Sequence, residues 1–142
     1  MAISADQKVK RLEAIPLFAH ATRRQIEHVA AIADEVDVRA GTTLAKQGER
    51  GLDFFLIEDG TASVVADGKE IATLGPGDFF GEISLVDGGP RTASVEATAN
   101  MKLLVVRKPL FDDLLETTPE LREAVVRALG ERIRALEEKA SH

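Results

Sequence analysis

The chain has 142 residues, 30% of them charged, no cysteine and a formal net charge of −6. That length suits one domain of ordinary size; the lack of cysteine excludes disulfides, thiolate metal sites and cysteine nucleophiles, and the negative charge opposes general attraction to nucleic-acid backbones and anionic membranes, so an anion site must be local. No apolar run reaches the ~20 residues of a membrane-spanning helix, and the opening MAISADQKVKRLEAI lacks the apolar core and cleavage site of a secretory signal, so a cytoplasmic protein without membrane association is expected.

From the amino end, Val9, Leu12 and Ile15, then Ile26, Val29, Ala30 and Ala33, recur at three- and four-residue intervals behind the start signals Ser4 and Thr22. They predict two short helices broken near Pro16. From Asp34 the period changes to two, through Val36 and Val38, Phe54–Ile57, and Ala62, Val64 and Ala66. Glycines at 41, 48, 51, 60, 68, 75 and 77 punctuate these runs, and reversals this frequent suit a small antiparallel roll. Strands over Thr92–Thr98 and Met101–Arg107 follow, before helical signals at Pro109 and after Thr118-Pro119. The last helix puts Leu121, Val125, Leu129, Ile133 and Leu136 on one stripe, which packs on its own domain, forms a dimer seam or covers a pocket. The expectation is one α+β domain: helices over 1–33, a jelly-roll-like antiparallel β-roll over 34–107, and a helix pair over 108–142.

The segment Gly75 to Ala97, GPGDFFGEISLVDGGPRTASVEA, is the one that points to function. Gly81-Glu82-Ile83-Ser84-Leu85-Val86 can form one or two helical turns, and Gly88-Gly89-Pro90 turns the chain back. The first amides of such a turn have no intrahelical partner and carry partial positive charge, so they favour an anion. Gly81 lets the backbone approach closely. The return brings Arg91 toward the same place, where its planar fork can bind two phosphate oxygens. Glu82 can accept hydrogen bonds from sugar hydroxyls.

On these residues the chain resembles the cyclic-nucleotide-binding domains of bacterial catabolite activators, of protein kinase A regulatory subunits and of cyclic-nucleotide-gated channels. Their phosphate-binding cassette follows F-G-E-[LI]-[AS]-L, a short variable turn, then P-R-[AST]-A-[ST]-V, and this chain reads FGEISL-VDGG-PRTASV. LGPGDFFGE and the upstream GTTLAKQGERGLDFFLIEDGTASV are similar to the family's glycine-marked strand pairs. The cassette spans 79–95. The resemblance implies that Arg91 meets the cyclic phosphate, that Glu82 takes the ribose 2′-hydroxyl, and that the amides of Ser84 and Thr92 contact the exocyclic oxygens. Gly81, Ile83 and Ala93 complete the cradle, and Val64, Ile71 and Phe80 line the base and ribose. Alignment on Thr-Pro-Glu places Arg132 where the bacterial activators carry a ligand-facing arginine, with Arg127 and Arg134 as alternatives. Thr92 matches a threonine that accompanies guanine preference in some eukaryotic relatives, so cyclic AMP is the first ligand and cyclic GMP the second. No cofactor is implied.

Other readings are weaker on the same residues. Taken singly, Arg91 is a solvated loop charge and Glu82 a complement to the helix dipole. A cupin-type metal centre needs several ligands from neighbouring strands, but His20, His28 and His142 fall on none. Asp112-Asp113 and Glu137-Glu138 read as solvated faces, and no nucleophile is paired with a base, so no enzyme is expected. Unlike the bacterial activators, the chain stops before a helix-turn-helix, so it is not expected to read DNA by itself. That leaves a single-domain receptor acting through an unidentified downstream protein, a segment of a longer regulator or channel, or a nucleotide-free scaffold; dimerisation through the last helix is open.

Overall fold

The protein is described by a computed structural model over residues 3–82, 85 and 88–140, apart from the side chains of residues 132, 133 and 136–140. It divides into two compact units, Met1–Ala31 with Asp112–His142, and Ile32–Phe111.

In the helical unit, local capping sets the starts. Helix α1, Ala5–Glu13, opens on a capping box: the Gln7 amide donates to Ser4 Oγ at 3.2 Å and the Ser4 amide to Gln7 Oε1 at 3.0 Å. Pro16 then begins a one-turn 3₁₀ helix, Pro16–Phe18, where its missing N–H leaves no bond unmade. Helix α2, Arg23–Ile32, repeats the device with Thr22 and Gln25, at 3.2 and 2.9 Å. Near the other end of the chain come α3, Lys108–Thr117, and α4, Pro119–Ala140. Leu121, Ala124, Val125 and Ala128 of α4 are buried and Leu129 is half-buried, so the amino-terminal part of the expected stripe faces the interior of this unit, where α4 packs on the 3₁₀ turn. The side chains of Ile133 and Leu136 lie outside the described residues.

Among the described residues the roll unit carries eight strands: β1 Ala33–Val38, β2 Thr43–Ala45, β3 Asp53–Asp59, β4 Ala62–Ala66, β5 Lys69–Leu74, β6 Phe79–Phe80, β7 Ser94–Ala97 and β8 Met101–Arg107. They form two four-stranded sheets, in the orders β1-β8-β3-β6 and β2-β7-β4-β5, with every pairing antiparallel. The strand expected from Thr92 begins at Ser94, which leaves Thr92 and Ala93 outside the ladder. Strand β8 lies between β1 and β3, and all of Leu103–Val106 is buried, which is why it reads as a continuous apolar run where alternation would mark a strand with one wet face. Ala45, Phe55, Ile57, Val95, Leu103 and Val105 form the roll's interior cluster, and Val64, Leu74 and Phe80 pack against it. At the β3–β4 reversal Gly60 has φ +93°, and a Cβ there would run into the Asn100 carbonyl and Met101. Only glycine lets the two turns approach so closely.

Candidate functional site: a glycine-arginine cradle in the roll

A turn delivers the chain to the site. The Gly75 amide donates to Asp78 Oδ2 at 2.8 Å and the Asp78 amide to the Gly75 carbonyl at 3.0 Å. The Gly77 amide donates to the Ile57 carbonyl at 2.8 Å and the Ile57 amide to the Asp78 carbonyl at 2.9 Å, so the turn is sewn to β3. Strand β6 follows, with Phe80 stacked on Phe55 at 4.7 Å between ring centroids and 16° between planes. Gly81 then turns at φ +86°. Glu82 and Leu85 are helical, and the Leu85 amide donates to the Gly81 carbonyl at 3.0 Å, closing one turn. Leu85 is wholly buried and Glu82 is 5% exposed, its Oε2 shut off from solvent.

The chain returns through Gly88, Gly89 and Pro90 to Arg91, which is half-buried. Its Nη2 donates to the Asp53 carbonyl at 2.5 Å. A Cβ built on Gly81 would lie 2.5 Å from Arg91 Nη1 and 2.5 Å from that carbonyl, so the guanidinium rests on the bare backbone of Gly81. Burial lowers the Arg91 pKa from its ordinary value and the nearby Asp53 carboxylate opposes the shift. An arginine stays charged through such a shift, so an anion brought to the same place would replace hydration that the cation has lost. Arg91 also lines a cavity of about 480 Å³ with Ala45, Lys46, Glu49, Arg50 and Phe55. That is within the size range of small-ligand pockets.

Gly81, Glu82 and Arg91 therefore come together within one turn and its return. Thr92 is exposed and Ala93 half-buried, immediately after Arg91. Val64 on β4 and Phe80 on β6 pack on the interior cluster that includes Ala45 and Phe55 of the cavity. Ile71 is different: it is 61% exposed. Opposite β4 the register steps from Val64↔Ala72 to Val65↔Glu70, which makes Ile71 the extra residue of a β-bulge, a device that re-aims a side chain. Ile83 and Ser84, and the side chain of Arg132, lie outside the described residues. Arg127 and Arg134 are exposed on α4, the former 3.8 Å from Glu131.

The sequence reading passed over Asp53, Arg50 and Lys108. Asp53 acts through a main-chain carbonyl, which leaves no signature in the side-chain pattern. The glycines of GERG, Gly48 and Gly51, mark the loop that carries Arg50, but nothing local shows that it meets the cassette. Among the described residues no group of histidines and carboxylates could hold a metal, and no helix is long and apolar enough to cross a membrane.

Residues 35–118 match a family model described as the cyclic nucleotide-binding domain. The chain is 37% identical over 118 residues to a cAMP-dependent protein kinase regulatory subunit of Schizosaccharomyces pombe, a match covering 82% of this chain and 29% of that relative, so it spans well under half of that protein's length. Among solved structures, the N-terminal domain of a transcriptional regulator from Streptomyces coelicolor superposes with a TM-score of 0.81 at 32% identity, covering 90% of this chain and 95% of that one. The Thermus thermophilus catabolite activator protein superposes with a TM-score of 0.68 at 26% identity, over 89% of this chain and 62% of that one.

Proposed function

This chain belongs to the cyclic nucleotide-binding domain family, and on that footing we propose that it is a receptor module that binds a cyclic nucleotide and performs no chemistry on it. Arg91 takes the cyclic phosphate, with the amides of Ser84 and Thr92 on its exocyclic oxygens. Glu82 accepts from the ribose 2′-hydroxyl, Gly81, Ile83 and Ala93 shape the cradle, and Val64, Ile71 and Phe80 flank the base and sugar. Arg132 joins from α4. The observation that carries this reading is a half-buried guanidinium resting on the glycine that opens a helical turn. A fork-shaped cation beside the start of a helical turn suits a phosphate better than a point charge would.

Cyclic AMP is the first ligand, because the kinase subunit similar to this chain is named for it. Thr92, which directly follows Arg91, keeps cyclic GMP as the second. The signal is a population shift: ligand contacts favour one placement of the C-terminal helix over another, and a downstream protein reads the difference. The acidic chain does not bind DNA by itself.

Calorimetric titration of cyclic AMP into the wild type and Arg91→Ala tests the assignment. The loss of a charge-assisted pair should cost about 1.5–3 kcal/mol, roughly ten- to a hundredfold in affinity. Equal affinity of the two proteins would falsify the role given to Arg91.

A further inference from the structure

Three segments far apart in sequence meet past the helical turn of the cassette. Lys108 Nζ donates to the Leu85 carbonyl at 3.2 Å, and Arg50 Nε donates to the Gly88 carbonyl at 3.2 Å. The two side chains flank buried Gly88: a Cβ built there would lie 3.1 Å from Lys108 Cε and 3.5 Å from Arg50 Nη2. Main-chain bonds complete the junction. The Gly51 amide donates to the Gly89 carbonyl at 3.0 Å, the Arg91 amide to the Glu49 carbonyl at 2.8 Å and the Gly48 amide to the Arg91 carbonyl at 2.8 Å. The Lys108 amide donates to the Leu52 carbonyl at 2.7 Å.

The Leu85 carbonyl belongs to the helical turn and the Gly88 carbonyl to the return after it, and a charged donor makes a stronger hydrogen bond to either than a neutral one would. Here two cations are used, one from the β2–β3 loop and one from the first residue of α3. At the start of the turn Arg91 lies against Gly81 and donates to the Asp53 carbonyl of the roll, and past the turn these two side chains hold the chain. A segment tethered at both ends loses less freedom when a ligand arrives, and that saving appears as affinity.

We propose that Arg50 and Lys108 are positioning residues for the nucleotide site: through the Gly88 and Leu85 carbonyls they hold the end of the cassette's turn so that its amides and Arg91 converge on one phosphate. The proposal rests on the cyclic-nucleotide reading above.

The test titrates cyclic AMP and cyclic GMP into the wild type, Lys108→Met, Lys108→Arg and the double variant Arg50→Gln/Lys108→Met, with amide hydrogen exchange on each ligand-free protein. In Lys108→Met the dissociation constant should rise about tenfold, the worth of a hydrogen bond from a charged donor. The double variant should lose more, and Lys108→Arg should recover most of the affinity. Exchange should quicken at Leu85 and over 88–91 while β3 and β8 keep their wild-type protection, a pattern that general destabilisation does not produce. A wild type that binds neither nucleotide overturns the receptor reading together with this one. A wild type that binds, beside a double variant of equal affinity, overturns this inference alone. So does a loss of affinity accompanied by faster exchange throughout β3 and β8.

Discussion

Taking a guanidinium partly out of water costs free energy that some other contact must return. At Arg91 the Asp53 carbonyl returns part of it through one of five N–H donors, while burial lowers the pKa against the pull of the Asp53 carboxylate. Gly81 makes the arrangement possible, because any side chain there would occupy the space of Arg91 Nη1 and of the Asp53 carbonyl. Gly81→Ala combines that clash with a backbone at φ +86°, a conformation costing a non-glycine residue about 1–2 kcal/mol. The main-chain carbonyl cannot yield without breaking β3, so both Arg91 and the backbone at residue 81 must move. Cyclic-nucleotide affinity should drop by at least tenfold, while the melting temperature without ligand falls by only a few degrees. Near-wild-type affinity in a calorimetric titration would show that the cradle does not depend on a bare backbone. At this scale the spacing of Gly81, Glu82 and Arg91 was readable in the chain, whereas Asp53 was not, since every residue owns a carbonyl.

Elements formed where local signals agreed. Ser4 with Gln7 and Thr22 with Gln25 each close a capping box within four residues, and both helix starts are visible in the sequence for that reason. Bulges are harder to see: the extra residue at Ile71 becomes apparent only when β5 is laid against β4. A long-range pair also escapes local rules. His20, beside the 3₁₀ turn, lies 2.7 Å from Glu131 on α4, and that hydrogen bond is the main cause lowering the Glu131 pKa below the usual carboxylate range. A depressed carboxylate pKa gives stability that is present above its unfolded value, ~4.3, and is lost as pH falls through the folded value. Urea midpoints of wild type and Glu131→Gln should therefore differ at neutral pH and converge below about pH 4. A difference that stays constant down to pH 3 would mean that the pair does not stabilise the helical unit.

For the molecule as a whole, a ligand that binds only the folded state raises its stability by mass action, by about 2.7 kcal/mol at a hundred times the dissociation constant. A thermal-shift comparison should show cyclic AMP raising the melting temperature most, with cyclic GMP next and linear AMP least, because the proposed site takes one ring-closed phosphate. A larger shift with linear AMP would sink the cyclic-nucleotide reading. The sequence by itself determined the helices, strands β1, β3, β4, β7 and β8, the places of reversal and the cassette pattern, all of which depend on residues within a few positions of one another: a capping pair, a two-residue period, a glycine where φ is positive. Only the tertiary structure decided that β8 lies between β1 and β3, and that residues 48–53, 81–91 and 108 meet around one turn. Those contacts are made largely by main-chain amides and carbonyls, groups common to nearly all residues, so their partners follow from where the folded chain returns.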